Sequence, residues 1–326
     1  MAIIGALPSI LTNGTTADAT QVMGDFNFIV SQVNANAATA GANSNITSIL
    51  GLTSPLALGQ GGTGASTAGA TLLQTIGAPA FLRGQLAGMQ ITAVGSSSVT
   101  ISAGVCCDSS GLSLITLAAF SKLTSGVWTA GSGANGLGTG VTLASSQTLH
   151  MFAIAVGGSF DAYFDTSATA ANAPSSTTGY RRILSMRTAS TTTAFINTNQ
   201  WDDTFLYTGS PIVDASGVAV AALTASSATL TVPTGITVTA LVDAAATAAV
   251  GVTPAFGWIS SLLQADTAPA PTANLAFDTG GAGAAGRLPT LTNTSGQIRW
   301  RFNATSITLS LVTSGYIDGR GRTGLA

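Results

Sequence analysis

The sequence predicts a mainly β protein: a short N-terminal α-helical, coiled-coil-type segment followed by β-sandwich or jelly-roll-like domains. Three observations predict it. Charged residues make up only 7% of the 326 residues, with one lysine, Lys122, and no glutamate. Solvated amphipathic helices draw on those two residues, so a helix-rich fold is disfavoured. Thr, Ser, Ala, Gly and Val take their place, the composition of short strands and tight turns. Several runs then alternate apolar and polar residues with a period of two. The apolar fraction of 46% is ample for buried cores, and the length allows two or three domains. Composition divides the chain at 1–80, 81–210 and 211–326.

The helix comes first. After the turn-like "TNGTT", Thr16 or Asp18 can cap a helix on which Val22, Phe26, Ile29 and Val33 recur at spacings of 4, 3 and 4. Asn36, Ala40 and Asn43 continue the register, as polar and small positions that set register in coiled coils. This face suits self-association, since only Asp18 and Asp25 are there to keep the helix soluble alone; packing against its own domain is the other reading.

Next stands "GQGGTG", Gly59 to Gly64, which spells G-x-G-x-x-G. A dinucleotide site also needs an acid ~20 residues on and a surrounding βαβ unit. The next acid after Asp25 is Asp108, and no lysine follows the glycines. The pattern therefore predicts neither a dinucleotide nor a P-loop, although Ala65 to Ile76 is compatible with a helix.

Three hairpins are predicted beyond residue 100. "HMFAIAV" (His150 to Val156) returns through "GGSFDAYFD", with both faces largely apolar. "ATLTVPTGITVTALV" gives strands at Leu230–Val232 and Ile236–Ala240 around Pro233-Thr234-Gly235. "QIRWRFN" and "SITLSLVT" give Ile298–Phe302 and Ile307–Leu311, turning at Asn303 to Ser306. A composition change near "WDDTFLYTGSPIVD" marks a boundary at about residue 210, and Gln264 to Gly286, rich in Pro and Gly, reads as a long surface loop.

Charge and motif content narrow the function classes. A net charge of −2 without a basic run offers no footprint for nucleic acid. The opening "MAIIGALPSILTNG" lacks a basic n-region and is broken by Pro8, a poor signal peptide. Ala244 to Ala265 carries no charge, but Gly251, Pro254 and Gly257 interrupt it, so no membrane span is expected. Cys106 and Cys107 read as reduced, half-buried thiols in a strand, and Cys106, Cys107, Asp108 and His150 lack the spacing of a zinc site. Neither a metal nor any other cofactor is expected.

The stretch Pro55, Leu56, Leu58, Gln60, Gly61, Gly62, Thr63, Gly64, Ala65, Thr67, Ala68, Ala70, Leu72, Leu73, Ile76, Gly77 resembles a segment recurring in tailed-bacteriophage fibre proteins. "LPSILTNGTTADATQVMGDFN", "ISAGVCCDSSG", "WTAGSGANGLGTG", "HMFAIAVGGSFDAYFDTSATAANAPSSTTGYRRILSMRT", "LTVPTGITVTALV" and "SGQIRWRF...SGYIDGRGR" look like the virion module that follows such a segment. Scattered blocks of this kind cover most of the chain. Cys107 departs from the pattern, which has a basic residue there. The resemblance implies a homotrimeric fibre or fibre-like structural protein located in the virion. Its N-terminus would dock onto tail, adaptor or baseplate proteins, and its β-domains would project toward the host surface, where a glycan or protein receptor is a candidate partner. Gln60, Gly61, Gly62, Thr63 and Gly64 would form a collar turn where three chains crowd together. A capsid-decorating or collar protein and a carbohydrate-binding or depolymerising protein are the alternatives.

Catalytic groups are sparse. Glycoside hydrolysis needs paired carboxylates, and Asp161/Asp165 and Asp202/Asp203 are the nearest pairs. A Ser-His-Asp arrangement has only His150, set in an apolar strand and better read as a core histidine. No enzyme activity is expected. Trp201 beside Asp202, Asp203 and Tyr207 combines an aromatic platform with carboxylates, as a receptor sugar requires; a strand end whose Trp201 and Phe205 fill the core is the alternative. Arg181 and Arg182 are candidates for ion pairs between chains.

Overall fold

The computed structural model describes residues 16, 18–36, 84–220, 223–249, 256–270, 277–278 and 283–322. The chain divides into two units, Met1–Gly62 and Thr63–Ala326. In the first, α1 (Ala19–Asn36) begins where Asp18 caps it, the Asp18 Oδ1 accepting the Thr20 N–H at 2.8 Å. The collar turn, residues 60–64, and the run Ala65 to Ile76 lie outside the described residues, as do Ala40 and Asn43.

The second unit is built of strands, as the composition requires. β1 (Leu86–Gly88), β2 (Ile91–Val94), β3 (Ser98–Ile101), β4 (Gly104–Cys107) and β5 (Leu114–Leu117) are short. β6 (Phe120–Val127) and β7 (Ala134–Leu137) lead to the core strands β8 (Thr148–Val156), β9 (Ser159–Asp165) and β10 (Thr177–Arg187). A hairpin of β11 (Thr198–Trp201) and β12 (Thr204–Tyr207) precedes β13 (Ile212–Ala219), β14 (Ser226–Thr229), β15 (Thr239–Ala248) and β16 (Phe256–Ser261). The two-residue β17 (Phe277–Asp278), β18 (Gly283–Leu291), β19 (Gln297–Phe302) and β20 (Ile307–Ile317) complete the series.

Among the described residues four sheets form, in the orders β1-β4-β5, β10-β8-β9-β7-β6-β3-β2, β11-β12-β20-β15-β18 with β13 also on β20, and β14-β19-β16-β17. Pairing is antiparallel except where β7 lies parallel to β6 and β9. One core cluster draws on all four sheets, through residues such as Ile115, Met151, Leu309 and Trp300. β8 is buried along its whole length because its two faces enter two cores: Leu149, Met151 and Ala153 join the common core, while Phe152, Ile154 and Val156 meet Tyr163 in a second. The change of sheet falls between β10 and β11, and the expected boundary at residue 210 lies between β12 and β13, which both pair with β20.

The first predicted hairpin forms as β8–β9, turning through Gly157 and Gly158 with φ of 57° and 80°. Both angles are left-handed, the geometry that suits a two-residue turn to strand twist. The other two hairpins are corrected. β19 pairs with β14 and β16, whereas β20 pairs with β12, β13 and β15, so Asn303 to Ser306 is a crossover between sheets. Likewise Leu230 to Val238 passes from β14 to β15 in a different sheet, although Leu230, Val232, Ile236 and Val238 are all buried. Alternation reports which residues face a core: β19 and β20 face one shared core from different sheets, and 230–238 reaches the same core as the connection between β14 and β15.

The loop expected at Gln264 to Gly286 is also shorter than predicted, since Phe277–Asp278 pairs with β16 and 283–286 open β18. Ala244 to Ala265 contributes to β15 and β16, and no helix among the described residues is long and apolar enough to cross a membrane.

The edge strand β10 is joined to the β20 sheet through side chains. Arg182 donates to both oxygens of Asp318, at 2.5 and 2.9 Å, with both groups buried. The Arg320 Nε–H reaches the Ile183 carbonyl at 2.7 Å, and its Nη2 reaches the carbonyls of Gly88 and Met89. The Tyr316 hydroxyl takes the Ser185 carbonyl at 2.5 Å. Outward carbonyls of β10 that would template a further strand are thereby occupied. Arg182, a candidate for pairing between chains, is paired within this one.

Two stability predictions follow from this geometry. Asp318→Ala leaves the buried Arg182 guanidinium without its carboxylate and should cost about 3–5 kcal/mol in urea unfolding. Gly315→Ala places a methyl against the Phe205 carbonyl oxygen where β12 crosses β20, and a loss of about 1–3 kcal/mol is expected in the same assay.

Candidate interaction surfaces and buried polar clusters

Among the described residues of the β unit, the best-exposed large apolar side chain stands at the β11–β12 turn. Trp201 is 79% exposed and opposes Thr204, while Asp202 and Asp203 form the turn. Asp202 has φ of 50°, a left-handed conformation that Asp tolerates better than most residues. The turn is fixed by side chains around it. Gln200 Oε1 accepts the Ile91 N–H at 2.9 Å, and its Nε2 donates to the Asp202 carbonyl at 2.7 Å. Gln90 donates to Asp202 Oδ1 at 3.0 Å. Asp203 pairs with Arg322 and its carbonyl accepts the Asp318 N–H.

Of the four residues expected to form a receptor contact, the structure keeps Trp201, Asp202 and Asp203 at one turn and removes Tyr207. Register pairs share a face, so Trp201 lies with Thr204, opposite the face of Phe205 and Tyr207. Tyr207 donates to the Thr231 carbonyl at 2.6 Å, and burial raises its phenol above the usual range. Phe205 stacks on Tyr316 with centroids 4.9 Å apart, filling the core as the alternative reading had it, while Trp201 does not.

The exposed face continues across the sheet. Trp201, Thr204, Ile317, Thr239 and Leu291 are consecutive register partners on β11, β12, β20, β15 and β18. Ile317 and Leu291 are 38% and 42% exposed. Sequence reasoning missed this row, because only the pairing of distant strands assembles it. It also missed Gln90, Gln200 and Arg322, whose polar side chains carry no motif.

On α1 the expected seam residues Val22, Phe26, Ile29 and Val33 share one stripe with Met23 and Val30. Phe26, Met23 and Val30 are more than half exposed, and Val22 and Ile29 are half-buried.

The buried polar groups are held by partners within the chain. Lys122 Nζ lies 2.9 Å from Asp161 Oδ1, donates to the carbonyls of Thr129 and Gly131, and sits 5.3 Å from the Trp128 ring. Asp165 accepts from the Tyr163 hydroxyl, the Ser167 N–H, and the Asn172 N–H and amide. Asp161 and Asp165, four residues apart on β9, share a strand face, but each is buried and committed. Cys106 and Cys107 form no disulfide and are fully buried rather than half-buried, and burial pushes the Cys106 thiol up to about 12. Asp108 instead closes its own turn, accepting the N–H groups of Leu112 and Ser113. Among the described residues no cluster of three or more His, Cys or Asp side chains is arranged to hold a metal ion.

No family model matches this chain, and no curated protein or solved structure matches it either.

Register does bring a Ser-His-Asp row together, Ser185, His150 and Asp165 on β10, β8 and β9. The bonding is not that of a triad. His150 Nδ1 lies 2.8 Å from Ser185 Oγ, which also accepts an N–H from Arg182 at 2.7 Å. A hydroxyl has two acceptor lone pairs and one hydrogen, so Ser185 can take the Arg182 N–H and still bond Nδ1 in either tautomer of His150, and the other ring nitrogen is Nε2. That nitrogen is buried beside Gly235 with no hydrogen-bond partner. All three residues are fully sealed from solvent, so no substrate reaches the serine.

Burial, reinforced by the nearby Arg182 charge and opposed by Asp318 and Asp165, pulls the His150 pKa down from 6.5 to about 4. Unfolded chain binds a proton that folded chain refuses across this window. Stability is therefore full above about 6.5 and falls as pH drops toward about 4, by about 1.4 kcal/mol per pH unit within the window. The chain has one histidine and no glutamate, so near pH 6 this group dominates the slope, and the aspartates add to it closer to pH 5. Urea midpoints measured at pH 7, 6 and 5 should show the decline, and His150→Gln should flatten it.

Proposed function

We propose that this chain is a structural component of a tailed-phage virion, a fibre or fibre-like appendage assembled as a homotrimer. Residues 1–80 serve as the attachment segment to other virion proteins, and a β-sandwich or jelly-roll-like body projects toward the host surface. The observation that carries this reading is the stripe of α1. Val22, Met23, Phe26, Ile29, Val30 and Val33 cover a and d positions and one flank, yet Met23, Phe26 and Val30 remain exposed in a single chain. A stripe wider than a bare a/d seam suits more than two strands, and packing three copies together covers it. The resemblance of the Gly59–Gly64 region and of the later blocks to phage fibre proteins supports the same reading.

The β unit fits a projecting body. Its few charges are largely spent on internal pairs such as Lys122–Asp161 and Arg182–Asp318. The fixed, exposed Trp201 turn favours host contact as its task, and it equally favours the second reading, a carbohydrate-binding protein acting outside a virion.

Sedimentation equilibrium separates the two. The full chain should show a concentration-independent mass of three copies, and Phe26→Asp should reduce it to one while leaving the β-sheet circular dichroism signal unchanged. A wild-type monomer at every concentration would overturn the fibre reading and leave the sugar-binding one.

A further inference from the structure

We propose that the row Trp201, Thr204, Ile317, Thr239 and Leu291 is a binding site for a neutral oligosaccharide. The proposal rests on the host-facing role given to the β unit and adds the chemistry of the partner. Of the four tryptophans, Trp201 alone is exposed; Trp300 is buried and Trp128 and Trp258 are half-buried. The backbone around it is preset, because Gln90, Gln200 and Arg322 hold the turn through Asp202, Ile91 and Asp203. A large apolar ring kept at the surface on so constrained a turn stacks without the cost of ordering its backbone, leaving only its own rotamer to be fixed.

The rest of the row matches a sugar chain. Five strands at ~4.8 Å spacing extend it over roughly 19 Å, a length for several rings rather than one. Apolar Ile317 and Leu291 alternate with Thr204 and Thr239, whose hydroxyls make no hydrogen bond to another described residue. A pyranose offers the complementary pattern, an apolar C–H face and a rim of hydroxyls.

Charge selects among glycans. The row itself is uncharged, and the nearest pair along the same face, Asp243 and Arg287, is self-neutralised at 2.8 and 3.0 Å. Two carboxylates follow the tryptophan at the turn: Asp203 is paired with Arg322, while Asp202, whose Oδ1 accepts from Gln90, keeps its other oxygen to accept from sugar hydroxyls and repel acidic sugars. A neutral oligosaccharide satisfies both conditions, whereas an acidic one meets like charge.

Isothermal titration of the full chain with neutral oligosaccharides of glucose, galactose and mannose, two to six units long, tests the site. Polygalacturonate oligomers supply the acidic arm. Affinity for at least one neutral series should rise with length. Trp201→Ala should weaken it tenfold or more, Trp201→Phe should restore part of it, and Thr239→Val should cost severalfold, all at unchanged melting temperature. The acidic oligomers should bind more weakly, with the gap narrowing in salt. Three results would overturn the proposal: no heat with any neutral series, unaltered binding in Trp201→Ala, or a lower sedimentation mass in Trp201→Ala, which would assign the row to a second copy of the chain. Loss of sugar binding with the three-copy mass intact leaves the fibre reading standing.

Discussion

The fold depends on one buried ion pair. Arg182 and Asp318 are 136 residues apart in sequence, and their contact fastens the edge of the seven-stranded sheet to the strand at the centre of the six-stranded one. Tyr316 and Arg320 extend the same seam by occupying β10 carbonyls, and Arg182 also orients Ser185 against His150. Buried charge is expensive unless fully partnered, so an arrangement of this kind admits few alternatives in register. It specifies how the sheets meet more than it adds to net stability.

The same economy governs the other charges. With so few available, nearly every one found in the β unit fixes a particular piece of backbone. Lys122 gathers the carbonyls at Thr129 and Gly131, Asp165 holds the 167–172 loop, and Asp214 takes Thr231 and Thr313. What remains on the outer face of the β20 sheet is apolar or hydroxylic, apart from Asn199 and the Asp243–Arg287 pair. A surface of that character follows from the sequence economy, and the Trp201 turn gives it a direction.

How far the sequence discloses all this differs by element. The β8–β9 hairpin is readable because two glycines stand between two short apolar runs, so turn and pairing are both local. β19 and β20 are readable as strands, and their partners are not, because period-two alternation names a face without naming a neighbour. The helix start at Asp18 is readable from its capping chemistry. Trp201 illustrates the limit for sites: its neighbours in sequence suggested a cluster with Tyr207, whereas strand alternation sends the two to opposite faces. Ile317 and Leu291 enter the row only through long-range pairing.

The seam also imposes an order in time. Asp318, Arg320 and Arg322 leave the ribosome roughly 290 residues after α1, a lag of ~15–60 s at ordinary synthesis rates. Until they emerge, β10 has an open edge and the β unit cannot close. Throughout that interval the apolar stripe of α1 is already available to helices on neighbouring nascent chains. In the proposed homotrimer, copies translated from one message would meet at their N-termini before each chain's own C-terminal seam closes, which would bias association toward chains of common origin.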